Sequence, residues 1–278
     1  LSTVVITVAT PALIFHTLTS LAVTPETIRT MAGAALLCVS VSGLLGWAGL
    51  KLFHVPVRSF LPPLMLPNSG NMGLPLVVLA FGDDGLRVAV AFFFVVSMVQ
   101  HSVGLSIYAG SFRPAILLRQ PLTYSVAAVL VVVWTGWPVP QIVTSTTEIL
   151  SGMMIPAMLL LLGVSLATLK VSDLGPALLV AIGRLVLGLI SAVTVITALG
   201  LQGVTAGTVF LLATMPTAIV SYVFAERFQH DPQKVAGSVV VSTLLTFICL
   251  PGLVWMALEI ADGGLWLTDM TTLDEVTQ

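Results

Sequence analysis

Residues 62–75 read Pro-Pro-Leu-Met-Leu-Pro-Asn-Ser-Gly-Asn-Met-Gly-Leu-Pro, and they lie inside an apolar stretch long enough to cross a bilayer. A segment that crosses lipid is normally a continuous helix, because hydrocarbon offers no partner to a free N–H or C=O group. The prolines and glycines of this stretch predict that the helix is broken at membrane depth. A broken helix is tolerated there only where its free backbone groups face protein or a watery cavity. We therefore expect a polar binding site at the break.

The composition of the chain indicates a polytopic membrane protein. Of its 278 residues, 57% are hydrophobic and 8% are charged, and the mean hydropathy is +1.10. A soluble domain has about 25% charged residues. The net charge of −2 argues against a nucleic-acid partner. The sequence has no phosphate-binding loop, zinc motif or nucleophile elbow. We therefore expect no enzymatic activity, no cofactor and no metal site.

Charged residues divide the chain into nine candidate membrane spans, each of roughly 20 apolar residues. The predicted spans are 1–23, 30–50, 59–82, 88–112, 120–137, 149–169, 174–200, 203–225 and 235–258. The connections between them are short, which predicts an all-α membrane domain without a soluble insertion.

The positions of the basic residues predict the orientation of the spans, because Lys and Arg accumulate in cytoplasmic loops. Alternate connections contain or adjoin seven basic residues: Lys51, Arg58, Arg113, Arg119, Lys170, Arg227 and Lys234. The other connections hold Arg29 and Arg87. We therefore expect the first span to begin in the cytoplasm and the C-terminus to lie outside.

Two pairs of segments resemble each other at a nearly constant separation. The sequence around Pro11 resembles that around Pro156, and the sequence around Pro67 resembles that around Pro216. The prolines of the two pairs are 145 and 149 residues apart. The members of each pair are five spans apart, and an odd number of crossings reverses their orientation. This pattern predicts inverted repeats whose discontinuous helices meet near the middle of the membrane.

The repeats also predict domain boundaries. These are a first repeat at 1–112, a short cytoplasmic connector at 113–119, a second repeat at 120–258 and an exposed acidic tail at 259–278. The second repeat has five spans, whereas the first has four and lacks the counterpart of 120–137. Because the chain starts at Leu1 without a methionine, we expect a parent protein with one more N-terminal helix, ten in all. A cleaved signal peptide is the alternative.

Four segments carry a resemblance to a known family. They are Thr-Pro-Ala-Leu-Ile-Phe at 10–15, Pro-Asn-Ser-Gly-Asn-Met-Gly-Leu-Pro at 67–75, Met-Pro-Thr-Ala at 215–218 and Ser-Thr-Leu-Leu at 242–245. The chain resembles the auxin efflux carriers, which include plant auxin carriers and bacterial permeases for malonate and malate. The resemblance implies two inverted five-helix repeats whose broken helices cross at their prolines. The short connector points to the bacterial, organic-acid branch, and so to the cytoplasmic (inner) membrane.

The break and the resemblance together predict a secondary transporter or permease for small organic anions. The expected substrates are carboxylates such as malonate, malate or auxin-like acids, moved by alternating access around the crossing helices. A sodium-coupled symporter of the bile-acid type and a membrane subunit without transport activity are the alternatives. Backbone carbonyls and hydroxyls such as those of Ser97, Ser242 and Thr243 would suit sodium. The coupling ion, proton or sodium, and a homodimer are left open.

The residues after Pro67 are the predicted substrate-binding residues. Asn68, Ser69 and Asn71 lie where the next half-helix begins, and its free N–H groups and positive end suit a carboxylate. Asparagine donates to a carboxylate and also accepts from a protonated one. The alternative is that the asparagines only cap the half-helix. Thr217 occupies the equivalent position of the second repeat and is also predicted to contact substrate.

Five further residues are predicted to shape the backbone of the crossing. Gly70 and Gly73 permit close approach of another chain segment, and Pro75 limits the restart of the helix. Met215 and Pro216 are expected to form the second break.

Three side chains are candidates for a charge or proton role. Arg184 lies inside a span, ten residues after Asp173, which is about 15 Å along a helix. No acidic residue is expected at that depth. Its predicted partner is therefore either backbone carbonyls at a broken helix or an anionic substrate. His16 and His101 are candidates for relaying protons, because histidine titrates near neutral pH.

Overall fold

The computed structural model describes four stretches of the chain: 4–20, 24–111, 121–169 and 171–263. The predicted connector at 113–119 and most of the predicted tail, 264–278, lie outside the described residues. So do three of the basic residues that predict the orientation: Arg113, Arg119 and Lys170.

The described part of the chain is helical and contains no β-strand beyond a single isolated bridge. Its α-helices are α1 (Thr10–Ser20), α2 (Pro25–Leu52), α3 (Val57–Met65), α4 (Leu74–Val99), α5 (Leu105–Ala109), α6 (Pro121–Thr135), α7 (Gln141–Gly152), α8 (Met154–Thr168), α9 (Leu174–Ala198), α10 (Gly203–Thr214), α11 (Val220–Phe228) and α12 (Pro232–Ala261). Short π-helical segments precede or follow some of them: π1 (Val5–Ala9), π2 (Ser69–Gly73) and π3 (Gln100–Gly104).

Five helical stretches of the described residues are long and apolar enough to cross a membrane. They are Pro25–Leu52, Ser69–Ala109, Gln141–Thr168, Leu174–Ala198 and Pro232–Ala261. The helix Gly203–Thr214 is apolar but shorter. The chain therefore has the helices of an integral membrane protein, and the count of nine spans stays a prediction.

The stretch Ser69–Ala109 is interrupted inside α4. Its 41 residues would extend about 60 Å as one helix, twice the roughly 30 Å thickness of the hydrocarbon core. Gly82 has φ 59° and ψ −145°, a backbone conformation outside the helical range that glycine adopts without a steric penalty. The interruption falls where the sequence predicts the connection between the spans 59–82 and 88–112.

Several helix ends differ from the predicted span boundaries, among them those of α7 and α12. The helix pair α7–α8 begins at Gln141 rather than at 149, because Pro140 precedes it and Glu148 is exposed within α7. A charge on an exposed helix face does not interrupt the helix, so it is a poor marker of a boundary. Helix α12 continues to Ala261 rather than to 258.

The two helices that end at the predicted breaks, α3 and α10, lie in the centre of the protein. Every residue from 59 to 70 and from 206 to 218 is buried. Helices α9 and α12 pack against α10, while α2 and α9 pack against α3. The non-helical backbone at both breaks is therefore enclosed by protein, as a low-dielectric surrounding requires.

The surrounding helices expose large apolar side chains on their outer faces. Examples are Leu44 and Trp47 on α2, Ile182 on α9, and Ile248 and Trp255 on α12. A water-soluble monomer rarely exposes so many large apolar side chains. These faces are suited to contact with lipid chains, which fits the composition of the protein.

Candidate functional site

Both helix breaks predicted from the prolines are present. Helix α3 ends at Met65, and helical structure resumes at Ser69 with π2. Helix α10 ends at Thr214 and α11 begins at Val220. Proline lacks a backbone N–H and cannot make the hydrogen bond that a helix interior needs, which explains why each break coincides with one.

The two breaks lie side by side and pair as an antiparallel β-bridge between Pro67 and Thr217. We call this pairing the crossover. Two backbone hydrogen bonds flank it: Asn68 N–H donates to the Pro216 carbonyl at 2.7 Å, and Ala218 N–H donates to the Leu66 carbonyl at 3.1 Å. The bridge satisfies backbone groups that the broken helices leave free.

Thr217 is an internal support of the crossover. Its side chain is fully buried, and its hydroxyl donates to the Pro63 carbonyl at 2.9 Å. Its N–H donates to the Ser242 hydroxyl at 3.2 Å. It is not among the residues that line the neighbouring cavity. The sequence predicted that Thr217 contacts substrate, whereas in the structure its hydroxyl is already used within the protein.

Arg184 lies beneath the crossover and is 1% exposed. Its guanidinium donates to the Met215 carbonyl at 3.1 Å, to the Leu64 carbonyl at 3.0 Å and to the Ala213 carbonyl. No carboxylate of the described residues forms an ion pair with it. The sequence predicted either backbone carbonyls or an anionic substrate as the partner of Arg184. In the structure, its partners are backbone carbonyls at the broken helices.

A cavity of about 200 Å³ lies against the crossover. Its polar lining consists of Thr10, Asn68, Ser69, Asn71, Ser97, Gln100, His101 and Ser165. Its other walls consist of Val5, Pro67, Gly70, Phe93, Met98, Met158, Leu161, Ala218, Ile219, Val220 and Val223. The cavity thus combines a cluster of hydrogen-bonding groups with an apolar wall, as small-molecule sites do.

Asn68 lines this cavity, and its side chain has an unused hydrogen-bond donor. Its side chain is 5% exposed, and its amide nitrogen Nδ2 has no hydrogen-bond partner among the residues that the structure describes. Buried side-chain atoms without a partner in the described part also occur at Thr17, Thr208 and Ser221, but none of these residues lines the cavity. A buried donor without a partner costs free energy, and a bound acceptor would remove that cost.

The half-helix that starts with π2 adds free backbone donors beside Asn68. The first N–H groups of a helix have no partner within it, and the first backbone bond here runs from Gly73 N–H to the Asn68 carbonyl. No described residue accepts a hydrogen bond from the N–H of Ser69, Gly70 or Asn71. Those three residues all line the cavity. Asn71 is half-buried.

The second half-helix, α11, also begins at the cavity. Ala218, Ile219 and Val220 lie along the lining. No described residue accepts from the N–H of Ile219 or Val220, whereas Ser221 N–H donates to the Ala218 carbonyl. The positive ends of two half-helices therefore meet at one cavity.

Two glycines of the predicted set lie where another element approaches closely. A methyl group on Gly70 would come within 2.7 Å of the Phe93 ring, and one on Gly73 within 2.7 Å of a Leu212 methyl group. Pro75 is buried in the first turn of α4, where its missing N–H is not needed. These positions allow π2 to pack against α4 and α10.

The two histidines occupy different surroundings. His101 lines the cavity, and its Nδ1 lies 2.9 Å from the Ser97 carbonyl oxygen. A carbonyl only accepts, so Nδ1 carries the proton and Nε2 is the atom that gains or loses one. His16 lies 3.4 Å from the Ser20 hydroxyl on α1 and is not part of the lining.

The π-helical segments all contribute to this cavity. Val5 of π1, Ser69 of π2 and Gln100 of π3 lie in its wall. Such segments widen a helix by one residue and occur frequently at functional sites. Their positions carry no signal in the sequence patterns considered above, so Val5 was not among the predicted residues. Phe93 of α4 and Ser165 of α8 also line the cavity and were not predicted either.

A sequence model of the membrane transport protein family matches residues 1–116 and 111–255 of the chain. The matches cover more than half of the chain, and the protein belongs to this family, which is that of the auxin efflux carriers.

Two archaeal relatives support the same assignment. An uncharacterized transporter of Methanocaldococcus jannaschii is 23% identical over 279 residues, which span 93% of this chain and 89% of the relative. An uncharacterized transporter of Methanothermobacter thermautotrophicus is 28% identical over 189 residues. That second match spans 66% of this chain and 63% of the relative, slightly less than two thirds of its length.

Proposed function

We propose that this protein is a secondary transporter or permease for small organic anions and that it binds the carboxylate of its substrate beside the crossover. The observation that carries the proposal is the amide nitrogen of Asn68, a residue of the cavity wall: it is buried and has no hydrogen-bond partner among the described residues. It lies next to the free N–H groups at the start of π2. A carboxylate oxygen is the acceptor that such a set of donors suits best.

The electrostatics of the cavity support an anion rather than a cation. Its described lining contains no Asp, Glu, Lys or Arg side chain. Each helix N-terminus contributes roughly +0.5 of an elementary charge, so two of them supply roughly the charge that balances one carboxylate. The side chains of Asn68 and Asn71 supply donors without adding a fixed negative charge.

The apolar part of the wall supports a substrate with a short carbon skeleton. Phe93, Met98, Met158 and Leu161 face the same cavity as the asparagines. A volume of about 200 Å³ suits an acid of the size of malonate, malate or an auxin-like compound. Within this proposal the substrate leaves the protein chemically unchanged, so the protein is not an enzyme.

We propose further that the fold consists of two inverted repeats, at 1–112 and 120–258, which together hold nine spans. The antiparallel pairing of the two breaks supports this arrangement, because segments with the same orientation would pair in parallel. The beginning of a half-helix after each break, at the same cavity, supports it as well. In this arrangement the C-terminus lies outside the inner membrane of a bacterium.

For the coupling ion we propose the proton, with His101 as its carrier. His101 lines the cavity, and the Ser97 carbonyl holds its Nδ1. The Phe224 ring lies in a T-shaped arrangement with the His101 ring, at 5.8 Å between ring centroids, and the polar residues named above line the same cavity. A proton bound at Nε2 would place a positive charge in the wall of the anion site.

The test is uptake of radiolabelled malonate, malate and indole-acetate into vesicles that contain the purified full-length protein. Empty vesicles and vesicles with an unrelated membrane protein serve as controls. We expect at least one of these acids to accumulate and the unlabelled acid to compete for uptake. Uptake of cations or neutral solutes without any of the acids would contradict the anion assignment.

A further inference from the structure

The half-helices that precede the breaks converge on one side chain with their C-terminal ends. Arg184 donates to Leu64 in the last turn of α3, to Ala213 in the last turn of α10 and to Met215 just after it. The C-terminus of a helix carries roughly −0.5 of an elementary charge. Two such ends together balance roughly one positive charge, which is the charge of the guanidinium.

These helix ends are the counter-charge of Arg184. The side chain is 1% exposed, and no carboxylate of the described residues forms an ion pair with it. A buried cation without compensation is costly. The carbonyl groups have the same need, because a buried C=O without a donor is unfavourable. The guanidinium therefore supplies hydrogen-bond donors to the carbonyl groups, and the carbonyl groups compensate its positive charge.

Two glycines hold α9 close enough for this contact. A methyl group on Gly183 would lie 2.9 Å from a Leu64 methyl group, and one on Gly188 would lie 2.7 Å from the Ala213 carbonyl oxygen. The backbone of α9 thus touches both half-helices on either side of Arg184. The guanidinium lies among three carbonyl acceptors, and the packing of the helix backbones determines their positions.

Carbonyls at unwound segments and at the C-terminal ends of half-helices are the groups that coordinate sodium in ion-coupled transporters with broken helices. We propose that Arg184 is a built-in cation that takes the place of a metal ion at this position. The crossover of this protein is then assembled without bound Na⁺ or K⁺. This inference rests on the proposed function for its consequence on transport, which is that uptake does not require an alkali cation.

The side chain acts by positioning the crossover. Arg184 does not line the cavity, so its effect on a bound anion passes through Leu64 and Met215 to the bridge and then to Asn68. If the role of Arg184 were merely structural, truncation to alanine would reduce uptake, and a free cation would not restore it. Recovery by a small cation is therefore the property that separates the two roles.

The first experiment compares uptake of labelled malonate, malate and indole-acetate in sodium, potassium and choline buffers of equal ionic strength. We expect the wild-type protein to transport equally well in all three. Uptake that falls tenfold or more when choline replaces sodium would overturn the proposal. Arg184→Ala is expected to lose at least tenfold in uptake and to regain part of it with guanidinium or Na⁺ at millimolar concentration. Arg184→Lys is expected to retain more uptake than Arg184→Ala.

The second experiment does not depend on transport. Thermal unfolding of the purified protein in detergent is measured with guanidinium, Na⁺ or choline. Arg184→Ala should gain stability with guanidinium or Na⁺ relative to choline, whereas the wild type and Arg87→Ala should not. Arg87 is a matched control, because it is partly exposed and pairs with Asp84 at 3.4 Å.

The two experiments separate the possible failures. Stabilisation of Arg184→Ala by these cations, without uptake of any acid by the wild type, would support the built-in cation and contradict the proposed function. If Arg184→Ala does not fold, the thermal unfolding of the wild-type protein tests the inference. Stabilisation of the wild type by Na⁺ over choline would overturn the inference, and its absence would support it.

Discussion

The backbone of Pro67 pairs with that of Thr217 at the point where helices α3 and α10 have both just ended. Two broken helices leave both acceptors and donors without partners. The acceptors are largely satisfied inside the protein, by Arg184, by the Thr217 hydroxyl and by the flanking N–H groups of the bridge. The donors at the start of π2 and α11 have no described partner. This imbalance leaves a site that is rich in donors, and such a site favours an anion.

Asn68→Ala is expected to weaken uptake roughly 10- to 150-fold, because a hydrogen bond to a charged group contributes about 1.5–3 kcal/mol. Asn71→Ala should act in the same direction. The measurement is the KM for the labelled acid in vesicles. Thr208→Val is the matched control, since Thr208 also has a buried side-chain atom with no partner in the described part of the chain but does not line the cavity. Wild-type kinetics in both alanine variants would exclude the asparagines as binding residues.

Thr217→Val should lower stability and leave the KM of the transported acid nearly unchanged. The substitution removes the hydroxyl that donates to Pro63, and an unpaired buried carbonyl costs about 1–3 kcal/mol. Thermal unfolding in detergent reports the loss. Thr197→Val is the control, because its hydroxyl bonds only to carbonyls of its own helix. A raised KM with unchanged stability would instead support the contact with substrate that the sequence predicted for Thr217.

Gly188→Ala should destabilise the protein by about 1–3 kcal/mol, the usual cost of overpacking a tight interior. The added methyl group would meet the Ala213 carbonyl oxygen at 2.7 Å and the Thr214 Cα at 3.0 Å. Gly49→Ala provides the comparison, because no atom of the described residues lies within 4 Å of its added methyl group. Equal unfolding temperatures for the two variants would mean that α9 does not press on α10 in the way described.

His101→Gln should remove the response of uptake to an inward proton gradient while uptake without a gradient persists. Glutamine keeps a polar side chain but does not carry a proton near neutral pH. The assay compares uptake with and without an acidic exterior. His16→Gln serves as control, because His16 does not line the cavity. A gradient response that survives in His101→Gln and disappears in His16→Gln would transfer the proton role to His16.

The residues of the crossover show how far local chemistry alone predicts this site. A proline removes one hydrogen bond from the helix in which it lies, so the breaks near Pro67 and Pro216 followed from the sequence, although α12 continues through Pro251. A buried cation needs acceptors, so Arg184 predicted either backbone carbonyls at a broken helix or an anionic substrate as its partner. Asn68 and Asn71 were recognisable because polar side chains seldom occur within such an apolar stretch. All five of these residues lie in or directly beside the crossover or its cavity.

The sequence by itself determined the class of the protein and the places where its helices break, because composition and proline act locally. Only the tertiary structure decided which groups remain free. Thr217 reaches Pro63 across 154 residues and Arg184 reaches Leu64 across 120, and such contacts arise only when helices pack. Packing likewise brought His101 and Ser165 to one cavity and left His16 outside it. A side chain can serve a substrate only if no neighbour in the folded protein already uses its donor, and that depends on residues far away in the chain.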